Sequence, residues 1–215
     1  MTQPTNQRKQ KTQQIAVTGM LATIIVILSF TPLGFIPLGV IGATTLHLPV
    51  LVGLFVEGPV VGIVLTLIFG VCSILRAATS AGLLNPFFLN PLVSVLPRLF
   101  IPMVAWAVYR WVGGKEEKNK DRQRWGAALG ALAGSVTNTI GTLGMIYLVY
   151  GARLSETILQ LAASEPSLEP FVSSSNPAGA LMLFISMTNG IPEAVLTVIT
   201  VPMIVMAVKA VKRRV

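Results

Sequence analysis

The fold of this chain is decided by a long apolar run near its C-terminus, AGALMLFISMTNGIPEAVLTVITVPMIVMAV (residues 178–208). About 20 apolar residues in a helix cross roughly 30 Å of hydrocarbon, so the run predicts a membrane span. Asn189, Gly190, Pro192 and Glu193 interrupt it. Polar groups and a missing backbone donor are costly inside a membrane, which makes this interruption the first candidate for a functional site.

The composition of the whole chain agrees with a membrane protein. Of its 215 residues, 53% are hydrophobic and only 11% are charged, and the mean hydropathy is +0.75. Soluble domains carry about a quarter charged residues, so the composition predicts an integral membrane protein. The single cysteine, Cys72, excludes an internal disulfide.

The apolar runs predict an all-α integral membrane protein with six transmembrane helices. A transmembrane domain (14–208) lies between an N-terminal tail (1–13) and a basic C-terminal tail (209–215). The predicted spans cover residues 14–31, 44–57, 59–77, 88–112, 125–151 and 178–208.

The charge pattern predicts the orientation of these spans. Most of the 16 Lys and Arg residues fall in the two tails and in the loop 110–124. Basic loops stay in the cytoplasm, so both termini are expected there, in a prokaryotic cell membrane. The opposite loop, 152–177, carries one Arg and three Glu residues. The net charge of +8 therefore indicates membrane topology and not nucleic-acid binding.

The segment before the second span predicts a cap on the outer face. Residues 31–43, TPLGFIPLGVIGA, are uncharged and rich in Pro and Gly, and the span that follows (44–57) covers only about 21 Å as a helix. Irregular backbone is tolerated in a membrane protein over a cavity but not against lipid. We therefore expect a cap loop at residues 32–43. The alternative is a helix that begins near Ile36, with Pro37 in its first turn.

Polar side chains on three predicted helices fall at one depth, near the middle of the membrane or slightly outside it. They are Arg98, Asn138, Asn189 and Glu193, and we expect them to bind a substrate. Further candidates lie near the outer ends of the spans: Arg76, Thr44, His47 and Asn90.

Each of these residues also has a structural interpretation. Arg98 and Glu193 could form an ion pair that joins two helices, and Asn138 and Asn189 could hydrogen-bond between helices. His47 lies near an interface and has no second His and no Cys nearby, so no metal site is expected. No cofactor is expected either.

The motifs argue against an enzyme. Ser135 lies in GSVTN, which lacks the Gly-x-Ser-x-Gly pattern of a nucleophile turn, and the chain has a single His. The chain also has no phosphate-binding loop for ATP, and it is small for a secondary transporter that works alone. We therefore expect a solute-binding subunit that is energised by partners, and the secondary transporter and the intramembrane enzyme are the weaker alternatives.

An ordered set of motifs resembles one known family. The chain resembles the substrate-binding membrane subunits (S-components) of energy-coupling-factor (ECF) vitamin transporters, most of all those that bind pantothenate. The resemblance rests on TPLGFIPLG (31–39), TTLHLPVLVG (44–53), FGVCSILRA (69–77), PR (97–98), GSVTNT (134–139) and NGIPEAV (189–195). It implies a six-helix fold with a vitamin bound near the outer face. It also implies docking onto a transmembrane coupling subunit with two cytoplasmic ATPases, and toppling of the subunit to carry its ligand inward.

The chemistry of pantothenate suggests how it would bind. An Arg matches a carboxylate with two parallel hydrogen bonds, and Asn, Thr and Glu suit an amide and hydroxyls. We expect Arg98 to bind the carboxylate, with Arg76 as the second choice. Another vitamin, such as folate, hydroxymethylpyrimidine, pyridoxine or riboflavin, is the alternative ligand.

The resemblance also implies a docking surface on the first helix, where family members often carry Ala-x-x-x-Ala. Here Ala16 is followed by Met20 at that spacing. Small residues at the same spacing, which permit close approach of helices, remain at Thr18, Gly19, Ala22 and Thr23. Ordinary packing within the bundle is the alternative role for these residues.

Overall fold

The computed structural model describes residues 4–37, 42–80, 82–113 and 119–212. Across these ranges the chain is helical apart from one small hairpin. The helices are α1 (Pro4–Ser29), α2 (His47–Glu57), α3 (Pro59–Thr79), α4 (Asn85–Phe88), α5 (Pro91–Ser94), α6 (Leu96–Gly113), α7 (Lys120–Leu161), α8 (Glu169–Val172), α9 (Pro177–Ile185) and α10 (Ile191–Lys212). Short 3₁₀ turns (Pro32–Gly34, Pro166–Leu168), a π-helical turn (Ser186–Gly190) and strands β1 (Phe35–Pro37) and β2 (Gly42–Thr44) complete the elements.

Five helical segments are long and apolar enough to cross a membrane. They are Lys11–Ser29, Pro59–Thr79, Pro91–Gly113, Lys120–Leu161 and Pro177–Lys212. Each contains most or all of one predicted span, so the all-α membrane fold is confirmed. The remaining predicted span, 44–57, is the helix α2, which has 11 residues. It covers about 16 Å, which is too short to cross the bilayer by itself.

The helix α7 extends further than the sequence predicts. It continues to Leu161, so the predicted loop 152–177 begins as helix. No Gly or Pro interrupts residues 152–161, and Leu154 and Ile158, one turn apart, are fully buried in an apolar cluster. The 42 residues of α7 cover about 63 Å, so this helix projects beyond the hydrocarbon.

The short helix α2 is joined to α3 by a turn that requires glycine. Gly58 has φ +103°, a conformation that residues with a Cβ rarely adopt, and its N–H donates to the Leu54 carbonyl at 3.0 Å. Pro59 then begins α3, where its missing N–H is not needed. The two helices therefore form a tight antiparallel pair.

Among the helices that the structure describes, α6 and α7 share the most extensive contact, and it runs through small residues. Gly126, Gly130 and Gly134 repeat at intervals of one turn on α7. A Cβ on Gly126 would lie 2.7 Å from the Gly113 Cα, and one on Gly130 would lie 2.9 Å from the Ala105 carbonyl oxygen. Glycines at this spacing let the two backbones touch. We call Gly126, Gly130 and Gly134 the glycine stripe.

The segment predicted to cap the outer face ends in a two-stranded antiparallel pairing. Phe35 pairs with Thr44, and Pro37 pairs with Gly42. Residues 38–41 lie outside the described residues. The alternative helix from Ile36 is wrong, because β1 covers Phe35–Pro37 and α2 begins only at His47.

Buried apolar side chains form two clusters. One contains Phe69, Ile101 and Val201 and joins α1, α2, α3, α6, α7 and α10. The other contains Leu84 and Ile146 and joins the short helices α4 and α5 to the distal half of α7, α8 and α9. The polar residues described next lie between these two clusters.

Candidate substrate site

A cavity of about 300 Å³ opens between the two apolar clusters. It is lined by side chains of α3, α6, α7 and α10, by the π-helical turn, by the segment around α4 and by the end of β2. Six of the eight candidate substrate residues line it: Thr44, Arg76, Arg98, Asn138, Asn189 and Glu193. Four separate helices and a strand thus bring distant polar residues of the sequence to one place.

The other two candidates are not in the lining of this cavity. His47 is 1% exposed, and its Nε2 lies 2.8 Å from the Thr197 hydroxyl. Asn90 caps the first turn of α5, since its Oδ1 accepts from the Leu92 N–H at 2.9 Å, and its Nδ2 donates to the Tyr150 hydroxyl at 2.9 Å. The Nε2 of His47 and both polar atoms of the Asn90 side chain therefore have partners within the protein.

Arg98 is held rigidly at one wall of the cavity. It is 4% exposed, and its guanidinium carbon lies 4.6 Å from the centre of the Phe69 ring and 5.5 Å from that of Phe88. Its Nη1 donates to the Ser94 carbonyl one turn earlier. Stacking on aromatic rings leaves the edge of a guanidinium free for hydrogen bonds. The arrangement can therefore present Arg98 to a carboxylate.

Glu193 faces the same cavity from α10 but is engaged by the backbone. Its Oε1 accepts the N–H of Thr44, the last residue of β2. Arg98 and Glu193 are both described, and they do not form a direct ion pair. The structural ion pair that the sequence allowed is therefore not formed.

Several buried polar atoms around the cavity lack a partner among the described residues. They are Ser73 Oγ, Arg98 Nε, Asn138 Oδ1 and Thr142 Oγ1. Nearly all buried polar atoms in folded proteins form hydrogen bonds, and leaving one unpaired costs about 1–3 kcal/mol. Four such atoms around one cavity indicate a site that is built for a polar molecule.

Two of these residues, Ser73 and Thr142, were not candidates from the sequence. Thr142 follows Asn138 by one turn, and both continue the glycine stripe of α7 towards the cavity. Ser73 precedes Arg76 by one turn on α3. Residues three or four apart share a helix face, so this spacing was the signal that could have found them.

The interruption in the last span takes the form of a π-helical turn. Residues Ser186–Gly190 form this turn, and α10 begins directly after it with Pro192 at its second position. Pro192 has no N–H for the carbonyl four residues earlier, which favours a local change of helix type. Wider turns of this kind are frequent at functional sites. Here the turn carries Asn189 and Gly190, and both line the cavity.

The four candidate docking residues lie on two sides of α1. Gly19 and Thr23 are exposed, and a Cβ on Gly19 would meet nothing within 4 Å. Thr18 and Ala22 are partly buried, and Ala22 packs against the first apolar cluster. Only 11% of the apolar stretch of α1 that could cross a membrane is buried inside the protein, compared with 44% of the corresponding stretch of α3. The face around Gly19 and Thr23 is therefore the open one.

These features define a helical protein with five candidate membrane spans and a polar cavity, and a comparison with known families identifies its class. Residues 13–205 match the family described as ECF transporter, substrate-specific component, so the chain belongs to this family. The resemblance inferred from the motifs is confirmed. The family consists of transporter components and not of enzymes.

A similar individual protein is also known. The pantothenic acid transporter PanT of Lactococcus lactis subsp. cremoris (strain MG1363) is 26% identical over 214 residues. The similarity covers 91% of this chain and 95% of that protein.

Proposed function

We propose that this protein is the pantothenate-binding subunit of an ECF importer in the cell membrane. The observation that carries the proposal is the cavity with Arg98 fixed at its wall and unpaired polar atoms of Ser73, Asn138 and Thr142 around it. Pantothenate has one carboxylate, one amide and two hydroxyls, so its polar groups match this set of donors and acceptors. The similarity to a pantothenic acid transporter supports the same ligand.

The charges around the cavity favour an anionic ligand. Arg76 and Arg98 line it opposite a single carboxylate, that of Glu193. An enclosed site with an excess of positive charge attracts an anion, and an Arg binds a carboxylate with two parallel hydrogen bonds. In this proposal Arg98 binds the carboxylate of pantothenate.

The size and walls of the cavity favour a compact, non-aromatic ligand. Pockets for small molecules span about 300–1,000 Å³, and this cavity of about 300 Å³ is at the lower end. Flat heteroaromatic ligands are usually held between aromatic walls. Among the described lining residues, Phe88 is the only aromatic. Folate and riboflavin, which are large and flat, fit this description less well than pantothenate does.

The orientation and energy source follow from the charge pattern and the family. The basic tails and the basic loop 110–124 support six spans with both termini in the cytoplasm, with α2 as the short second span. The chain carries no phosphate-binding loop, so ATP would be hydrolysed by two partner ATPases that act through a transmembrane coupling subunit. The open face of α1, at Gly19 and Thr23, is the proposed docking surface for that subunit.

The ligand can be tested by calorimetry on the purified subunit in detergent. We expect pantothenate to bind with a Kd below about 1 μM, which corresponds to roughly −8 kcal/mol. Folate, riboflavin, pyridoxine and hydroxymethylpyrimidine are the comparison ligands. Tight binding of any of these with no binding of pantothenate would contradict the proposed substrate.

The partners can be tested by purifying the tagged protein from native membranes. We expect one transmembrane coupling protein and two ATPases to co-purify with it. Transport of pantothenate by the subunit alone in proteoliposomes, without these proteins and without ATP, would contradict the proposed mode of energisation.

A further inference from the structure

An open groove of about 490 Å³ lies at the end of the α6–α7 pair that carries the basic loop. Its lining residues come from the last turn of α6 and the first three turns of α7: Trp111, Val112, Arg122, Trp125 and Leu129. Trp111 is 83% exposed and Trp125 is 64% exposed. Tryptophan is enriched where a membrane meets water, because it has an apolar ring and a polar N–H. The two tryptophans therefore indicate that the groove lies at the level of the lipid headgroups.

Positive charge surrounds this groove. Arg122 lines it, and no hydrogen bond or ion pair from another described residue engages the Arg122 side chain. In the last turn of α6 and the first two turns of α7, the charged residues are all exposed, and four are basic and one is acidic: Arg110, Lys120, Arg122, Arg124 and Asp121. Basic grooves between transmembrane helices attract anionic lipid headgroups. The charge of this groove therefore suits a phosphate group.

The face of α7 that begins at Arg122 continues as a row of exposed apolar side chains. Its next members recur at intervals of three or four residues, so they lie on one face of the helix: Trp125, Leu129, Leu132, Val136 and Ile140. We call Leu129, Leu132, Val136 and Ile140 the apolar stripe. Beyond Leu129 the stripe forms one side of a second groove, of about 520 Å³, and the π-helical turn and α10 form the other side.

The length of the apolar stripe matches one leaflet of a membrane. Leu129 and Ile140 are 11 residues apart, which is about 16 Å along a helix. Half of the hydrocarbon thickness, the depth that one acyl chain covers, is about 15 Å. The charged groove lies at one end of the stripe, and the apolar groove runs along it. The headgroup and an acyl chain of a single phospholipid therefore each have a place on the same helix face.

We propose that the groove at Trp111, Arg122 and Trp125 binds the headgroup of an anionic phospholipid, with one acyl chain along the apolar stripe. The guanidinium of Arg122 binds the phosphate, which it matches in shape and charge. The site requires only that α6, α7 and α10 cross the membrane, and it is independent of the ligand in the cavity.

A lipid is the occupant that suits both grooves. A soluble anion would explain the charged groove but not the apolar one. A partner helix that approaches closely needs small residues on the surface it meets. The apolar stripe consists of Leu, Val and Ile, so it offers no such surface.

Tryptophan fluorescence reports on the charged groove directly, because two of the three tryptophans line it. The third, Trp106, is replaced by Phe in every protein tested, so that the emission comes from Trp111 and Trp125. The protein is placed in nanodiscs of phosphatidylcholine with a minor fraction of phosphatidylglycerol. Bromine on an acyl chain quenches a nearby tryptophan. The same number of brominated molecules is supplied as phosphatidylglycerol in one sample and as phosphatidylcholine in the other, with the lipid composition otherwise identical.

We expect the quenching to give an association constant about fivefold higher for phosphatidylglycerol, the ratio that roughly one basic side chain contributes at an anionic surface. Arg122→Gln should bring this ratio close to one. Arg124→Gln is the matched control, since Arg124 is two residues along the same helix, does not face the same way and does not line the groove. Equal quenching by the two lipids, or equal loss of preference in the two variants, would show only an aromatic belt with diffuse charge and would overturn the proposed site.

The acyl chain is tested by native mass spectrometry of the same proteins released from the nanodiscs. Val136→Trp fills the apolar groove, so it should lower the fraction of protein that retains phosphatidylglycerol. Leu67→Trp, on an exposed position of α3, should leave that fraction unchanged. Equal retention by these two variants would contradict the chain position. Soluble glycerol phosphate carries the headgroup chemistry without a chain, and full competition by it at equal concentration would show a site for a free phosphate and not for a lipid.

Folding and the proposed function are checked separately. Arg122, Arg124, Val136 and Leu67 are all exposed, so their variants should keep the Tm of the original protein. Pantothenate binding measured by calorimetry should not change in Arg122→Gln. Failure of pantothenate to bind would contradict the proposed substrate and leave the lipid preference intact, whereas loss of the lipid preference would leave the cavity unaffected.

Discussion

The contact between α6 and α7 and the helix α1 represent two opposite kinds of packing in one bundle. At the glycine stripe of α7, backbone meets backbone, and a Cβ on Gly126 would lie 2.7 Å from the Gly113 Cα. On α1, a Cβ on Gly19 would meet nothing within 4 Å. The same residue type therefore permits a close backbone contact in one place and leaves an open surface in the other.

This difference corresponds to two requirements of a binding subunit, which are to hold a ligand and to contact a partner protein. Arg98 on α6 and Asn138 on α7 line the cavity from the closely packed pair. A ligand site benefits from closely packed supporting helices, because less of the site has to be ordered on binding. The helix α1 has few buried residues and is free to contact a partner. The comparison predicts that changes in the first region alter ligand binding or folding, and changes in the second alter assembly.

The largest effect is expected from Arg98→Ala. It removes the group that we propose for the ligand carboxylate, and two charge-assisted hydrogen bonds should cost at least about 3 kcal/mol, a hundredfold or more in Kd. Calorimetry with pantothenate measures this change. Arg110→Ala, on the exposed end of the same helix, is the control and should bind normally. Unchanged affinity of the Arg98→Ala protein would show that the carboxylate binds elsewhere.

A smaller effect is expected from Gly130→Ala, which adds a Cβ 2.9 Å from the Ala105 carbonyl oxygen. Since the Cβ is fixed to the backbone of α7 and the carbonyl oxygen belongs to the backbone of α6, the two helices have to move apart, at a cost of about 1–3 kcal/mol. Thermal unfolding in detergent should show a lower Tm. The control is Gly144→Ala on the same helix, where a Cβ would meet nothing within 4 Å. Equal Tm values for the two variants would contradict the close contact.

The smallest effect is expected from Gly19→Trp on the open face of α1. A bulky side chain there should weaken association with the coupling subunit by about fivefold, because close helix approach requires small residues. Ligand binding by the isolated subunit should not change. Co-purification from membranes measures the association, and Leu67→Trp on the lipid-exposed face of α3 is the control. Normal recovery of the partners with Gly19→Trp would place the docking surface elsewhere.

Ala22→Trp would test the same surface less cleanly. The sequence groups Ala22 with Gly19 because both have small partners at four-residue spacing. In the structure Ala22 is partly buried against the first apolar cluster, so a Trp there would disturb the bundle as well as any docking. Gly19 has no such contact, which makes it the better position.

The sequence predicted the cavity residues that are costly in a membrane. Arg98, Asn138, Asn189 and Glu193 were singled out for this reason, and all four line the cavity. Thr142 and Ser73 were missed because a single hydroxyl in a span costs little and does not stand out. The glycine stripe offered a way to find Thr142, since Asn138 and Thr142 continue it at intervals of one turn.

Local contacts account for the two candidate residues that do not line the cavity. His47 and Asn90 were candidates because they lie near the outer ends of their spans, but His47 Nε2 is paired with the Thr197 hydroxyl and Asn90 caps the first turn of α5. Depth along a helix follows from counting residues. The partner that a side chain reaches depends on how its helix is rotated, and counting residues does not give that rotation.

The amino-acid sequence by itself determined that this is a helical membrane protein of a transporter family, with polar residues gathered at one depth. The reason is that burying apolar runs and avoiding unpaired polar groups in lipid are strong, local requirements. Only the tertiary structure decided which polar atoms face the cavity and which are engaged by neighbouring backbone. Close packing along the glycine stripe and the π-helical turn set the rotation of each helix, so that Asn138 meets the cavity and Glu193 meets the backbone of Thr44.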